Sequence, residues 1–164
     1  MIILPTTKQT IKEVFYSKIE QDESFFEYYN LTPSEAIELA NKRADNLLRD
    51  AVAYFKSHDR DSGLDFTENE NGDYEEDFTD VEIDLLAEIM NLLLFRKDYN
   101  RLKNLEVNFT PSDLKVFSPS ESRRTFLDMY LTLKGEIDSK IRRYCDRGRE
   151  DNKLITINYS AYET

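Results

Sequence analysis

The amino-acid sequence predicts a mostly α protein, a helical bundle of about four to five helices with an acidic loop and a C-terminal strand-like tail. Three observations lead there. A Ser or Thr followed three residues later by Glu occurs at Thr32-Pro33-Ser34-Glu35, Thr79-Asp80-Val81-Glu82 and Ser118-Pro119-Ser120-Glu121. In such a capping box the hydroxyl accepts from a free N–H of the first turn and the Glu accepts from the cap residue's own N–H. Apolar residues then recur at spacings of three and four over long stretches after each box, which is one face of a helix. Only four Gly and four Pro punctuate the 164 residues, as in ordered globular chains rather than linkers.

The first 30 residues carry Ile11, Val14, Phe15, Ile19, Phe25, Phe26 and Tyr29, a pattern of one or two short helices. After the first box, Ala36, Leu39, Ala40, Ala44, Leu47, Leu48, Ala51 and Phe55 share a face, and the helix should end near Ser57. Residues 59–77 lack periodicity and are crowded with Asp, Glu, Asn and Gly, so they read as a mobile acidic loop. The helix from Thr79 places Ile83, Leu86, Ile89, Met90, Leu93 and Leu94 on one side, widened by Leu85, Leu92 and Phe95. That is more apolar than a surface helix, and it belongs at the centre of a bundle or against a partner chain.

Residues 105–109 and 114–117 alternate polar and apolar, as a short hairpin or extended excursion would. The last helix, from Ser118 to about Arg147, strings Phe126, Tyr130, Leu133, Ile137, Ile141 and Tyr144 along one stripe, and Gly148 is a natural stop. Its far face holds Arg123, Arg124, Lys134, Lys140, Arg142 and Arg143. Residues 154–162 alternate again with β-branched and aromatic side chains, and such a strand needs a partner edge in this chain or another. Residues 1–150 thus form one helical-bundle domain, and 151–164 an extended tail for partner docking.

Twenty-two basic and 33 acidic residues leave a net charge of −11, which disfavours general attraction to phosphate backbones or anionic lipid. Charge is unevenly placed. Residues 59–88 hold 13 acids and one base, net −12; residues 89–153 hold 14 bases and 10 acids, net +4. Such polarity suits head-to-tail assembly. Cys145 is alone, so a disulfide within the chain or a Cys-rich zinc site is excluded and a reducing compartment fits. The opening MIILP is too short for a signal-peptide apolar region, and 89–95, interrupted by Asn91, falls far short of the ~20 residues of a membrane span, so no membrane role is expected.

The sequence predicts no enzyme and no cofactor. His58 is the only histidine and stands at a helix end beside the acidic loop, where capping or exposure to solvent is the expected role. Cys145 lies on the apolar edge of the last helix as a small buried hydrophobe. Oxygen-bearing residues Asp59, Asp61, Asp65, Thr67 and Glu70 occupy places one, three, seven, nine and twelve of an EF-hand loop, but Gly63 at place five supplies no ligand and Leu64 at place six blocks the turn. Specific Ca²⁺ binding is therefore not expected, and no metal site is assigned.

From residue 78 onward, the order of features resembles the small head–tail connector, or neck adaptor, proteins of tailed bacteriophages. The likeness rests on Phe78-Thr-Asp-Val-Glu-Ile-Asp-Leu-Leu-Ala-Glu-Ile-Met90, Phe95-Arg-Lys-Asp-Tyr-Asn100, Phe109-Thr-Pro-Ser-Asp-Leu-Lys-Val-Phe-Ser118 and a long final helix ending in Ile141-Arg-Arg-Tyr144. It implies a virion structural protein that forms a homo-oligomeric ring, commonly a dodecamer, in the neck after assembly in the host cytoplasm. Such a ring joins the portal protein to a further neck or tail protein and lets DNA pass without reading its sequence. On this reading the candidate partner-binding residues are Leu154, Ile155, Ile157, Tyr159 and Tyr162 of the tail with Arg142, Arg143 and Arg147 beside it. An alternative reading of the −11 charge is an acidic DNA mimic that inhibits a nucleic-acid-binding host protein; it requires carboxylates spaced over a rigid surface.

Overall fold

A computed structural model of the chain describes residues 6–19, 31–59, 62–107, 119–149 and 153–155, with the side chains of 101–107 and 119–123 left aside. Within them lie four helices: α1 (Lys8–Lys18), α2 (Pro33–His58), α3 (Asp80–Val107) and α4 (Pro119–Cys145). The chain is a helical bundle built around α3, which packs extensively against each of the other three, while α1–α2 and α2–α4 touch less. This placement explains the over-apolar composition of α3. Leu85, Leu86, Ala87, Ile89, Met90, Leu92 and Leu94 are all buried, so three neighbouring helices cover the segment from different sides.

Two capping boxes close as expected. The Thr32 N–H donates to Glu35 Oε2 at 2.9 Å while the Glu35 N–H donates to Thr32 Oγ1 at 3.4 Å. Thr79 and Glu82 repeat the exchange at 2.7 and 3.4 Å. Ser118 of the third box lies outside the described residues. An unforeseen cap starts α1, where Thr7 Oγ1 accepts from the Thr10 N–H at 3.2 Å. At the far end of α2, Ser57 Oγ and His58 Nδ1 both reach the Tyr54 carbonyl, at 2.6 and 2.9 Å, so His58 takes the capping role expected of it.

The predicted stripes are the buried ones. Ile11, Phe15 and Ile19 of the first segment, Ala40 through Phe55 of α2, and Ile137 and Ile141 of α4 join α3 in one core, with Tyr130, Leu133 and Tyr144 packed at its edge. Cys145 is buried at 7% exposure, as its position implied. Leu39 is an exception, exposed in the first turns of α2.

The acidic segment departs from expectation. Residues 62–79 are irregular but anchored: Phe66, Tyr74 and Phe78 are buried and interlock, with ring centroids 5.0–5.9 Å apart. Gly72, at φ +83, makes the turn that lets Glu68 and Tyr74 bridge in antiparallel fashion. Thr6 ties the loop to the start of α1, its carbonyl accepting from the Tyr74 N–H at 3.3 Å and its hydroxyl from the Phe78 N–H at 2.6 Å. Three aromatic anchors thus replace the mobile loop read from its composition. The extended excursion is corrected too: α3 continues helically through 105–107, because extending a long existing helix costs less than breaking it for a short alternating stretch. Residues 108–118 lie outside the described set, as do 20–30.

Candidate interaction site

Helices α3 and α4 run antiparallel, as three contacts along them show: Tyr144 to Glu82, Lys140 to Glu88, and Phe126 stacked on Phe95 with centroids 4.0 Å apart. The start of α3, the end of α4 and the acidic loop therefore meet at one corner, and the polar groups there converge on Glu82. Its carboxylate is 1% exposed. Oε1 accepts from Tyr144 Oη at 2.5 Å and Arg149 Nε at 2.7 Å; Oε2 accepts from the Thr79 N–H at 2.7 Å and Arg149 Nη2 at 3.1 Å. Arg149 also donates to the Glu76 carboxylate and to the Asp77 carbonyl. Burial alone would raise the Glu82 carboxyl, but Arg149, Tyr144 and the Thr79 amide hold it below the usual carboxylate value. The Tyr144 hydroxyl is pushed up by burial and by Glu82, and so stays a donor.

The tail begins at the same corner. The Gly148 N–H donates to the Lys153 carbonyl at 2.8 Å and the Ile155 N–H to the Asp146 carbonyl at 2.9 Å, with Arg147 and Leu154 bridging antiparallel. Over this stretch the partner strand lies in the same chain. Leu154 and Ile155 remain 68% and 59% exposed, so their side chains are open although their backbone is paired. Ile157, Tyr159 and Tyr162 lie outside the described residues. Arg142, Arg143 and Arg147 are exposed near the end of α4; Arg142 Nε donates to the Asp138 carbonyl at 3.3 Å, while Arg143 and Arg147 border a groove of about 540 Å³ whose apolar floor includes Leu85. Lys140 and Glu88 cross this groove at 2.5 Å, leaving Glu88 Oε2 buried without a hydrogen-bond partner among the described residues.

A second polar cluster joins α2 to α4. Asp138 accepts from Tyr54 Oη at 2.5 Å and from Lys134 Nζ at 2.5 Å, and His58 Nε2 stands 3.6 Å away. Burial would raise the Asp138 carboxyl, but Lys134 and Tyr54 hold it low, and the Tyr54 hydroxyl is pushed up by burial and by Asp138. A tyrosine kept protonated beside an ionised carboxylate is a hydrogen-bonding strut between helices.

Of the EF-hand register, Asp61 lies outside the described residues. Asp59 accepts from the N–H and hydroxyl of Ser62, both at 2.8 Å, and Asp65 accepts from Thr67. Among the described residues, no three His, Cys, Asp or Glu side chains gather as metal ligands do, and no helix is long and apolar enough to cross a membrane. Sequence reasoning missed Arg149 and the double use of Glu82. The capping box flagged Glu82 as a helix-start residue, but only the antiparallel α3–α4 pairing brings the arginine to it. Comparison with protein families, curated proteins and solved structures finds no match for this chain.

Proposed function

We propose that this chain is a structural subunit that works by assembling with other proteins, and that its assembly is the head–tail connector ring of a tailed bacteriophage, between the portal and the next neck or tail component. The observation that carries the assembly reading is the uncovered apolar surface on α4. Leu127 and Leu131 flank its core stripe on one side and Met129 on the other, at 37%, 54% and 56% exposure, so the apolar arc is wider than α3 covers. The open side chains of Leu154 and Ile155 add a second patch at the opposite end of α4. The connector assignment itself rests on the resemblance from residue 78 onward.

The DNA-mimic reading draws less support. Glu68, Glu76, Glu82, Asp84 and Glu88 are matched within the chain by Lys8, Arg149, Lys18 and Lys140, which leaves fewer carboxylates to stand in for phosphates. The test is the solution mass of the full chain across concentration and salt, alone and mixed with a portal protein. A closed oligomer or a salt-sensitive complex with the portal is expected; a strict monomer indifferent to both would overturn the proposal.

A further inference from the structure

Among the described residues, a second groove of this acidic chain is rimmed by cations. It opens between α1, α2 and the anchored loop, with a volume of about 450 Å³ and a floor of Leu48, Val52, Phe66 and Tyr74; Asp45 and Glu68 also line it, but they are matched by Lys12 and Lys8. Arg49 and Lys56, seven residues apart and so on one face of α2, stand at its rim. Both are exposed. Lys56 Nζ lies 5.2 Å from the centre of the Phe66 ring, and neither residue has an acidic partner among the described residues, although most other cations near the loop do. Leu48, Phe66 and Tyr74 of the floor are each at 7% exposure or less.

A complementary surface lies on α4. Met129 is exposed between Asp128 and Glu136, two exposed acids that likewise have no cationic partner among the described residues, and Thr132 continues the stripe between them. Nine residues separate Met129 from Asp138, about two and a half helical turns, so the Met129 stripe points away from the α2 contact that Asp138 makes. The groove lies on the α1 side of α2, and the stripe faces away from α2. One molecule therefore cannot seat its own stripe in its own groove.

We propose that the groove receives the acid-flanked Met129 stripe of a second copy, head to tail. The contact rests on the subunit reading above and names its surfaces. Met129 covers the apolar floor while Asp128 and Glu136 meet Arg49 and Lys56 at the rim. Because the two surfaces differ, the contact is heterologous, and repeating it generates a ring if the rotation closes. The rim charges chiefly set partner choice and register, and their contribution weakens as salt screens them.

Sedimentation of the full chain at low salt tests this with two variants, Arg49→Glu/Lys56→Glu and Asp128→Lys/Glu136→Lys. Each alone is expected to weaken self-association about tenfold or more, by placing like charges together. An equimolar mixture should recover assembly, because each reversed groove then meets a reversed helix and each native groove a native one. All four positions are exposed, so melting curves matching the native chain would show that the fold is intact. Assembly of the native chain that neither variant disturbs overturns this contact and leaves the subunit proposal standing. Failure of the mixture to recover also overturns it. A native chain that stays monomeric overturns this contact, and it overturns the subunit proposal as well only if it also fails to bind the portal protein.

Discussion

Residues 82–94 of α3 hold eight large apolar side chains and residues 124–136 of α4 hold six, yet the two segments have opposite fates. In the first segment, Leu85, Leu86, Ile89, Met90 and Leu92 are at 5% exposure or less; in the second, no residue is fully buried. The difference lies in their neighbours. Three helices surround α3, while this part of α4 is backed mainly by α3 along one stripe. Apolar residues of the same kind therefore serve cohesion in one helix and remain available for association in the other.

That contrast can be broken at its strong end first. Leu86→Ala removes a side chain at 1% exposure from the centre of the core and should lower unfolding free energy by about 4 kcal/mol in a urea titration, through lost burial plus a cavity. The corner at Glu82 comes next. Glu82→Ala leaves Arg149 and Tyr144 without their shared acceptor and should cost about 3 kcal/mol. Its pH signature separates it from simple repacking. Burial alone would raise the Glu82 carboxyl, but Arg149 and Tyr144 hold it below its ordinary 4.5, so the folded state binds fewer protons there than the unfolded chain does. The stability it lends is complete above that ordinary value and is lost as pH falls through the lower folded value. The native chain should lose stability over that acidic window more steeply than Glu82→Ala does. Smallest of all, Leu131→Ala, at 54% exposure, should change stability by no more than about 0.5 kcal/mol. A large stability loss at Leu131 would mean that α4 is sealed within the monomer, and the contrast would fail.

The fold was largely legible because its signals are local. The boxes at Thr32 and Thr79 start helices where they stand, and the stripes of α1, α2 and α4 face the core. The acidic loop was misread because charge density and lack of period dominate its composition, while three aromatics spaced at 66, 74 and 78 show no periodicity until the turn at Gly72 folds them together. Of the candidate site, Leu154 and Ile155 are exposed as a docking tail requires, but their backbone pairs with residues 146 and 147, a contact that no sequence pattern announces. Arg149 was overlooked for a related reason: an arginine just past a helix looks solvated until the carboxylate that binds it is brought close.

By itself, the sequence determined where helices begin, which face of each is apolar, and that the helix from Asp80 is too apolar for a surface, since capping and 3.6-residue periodicity act between residues close along the chain. Whether that helix is covered by its own chain or by a partner was undecided until tertiary packing set α1, α2 and α4 around it. The same packing gathered Glu82, Tyr144 and Arg149 at one corner and built the basic groove from α1, α2 and the loop. These arrangements join residues tens of positions apart, and burial and electrostatic complementarity between such residues exist only once the chain has closed on itself.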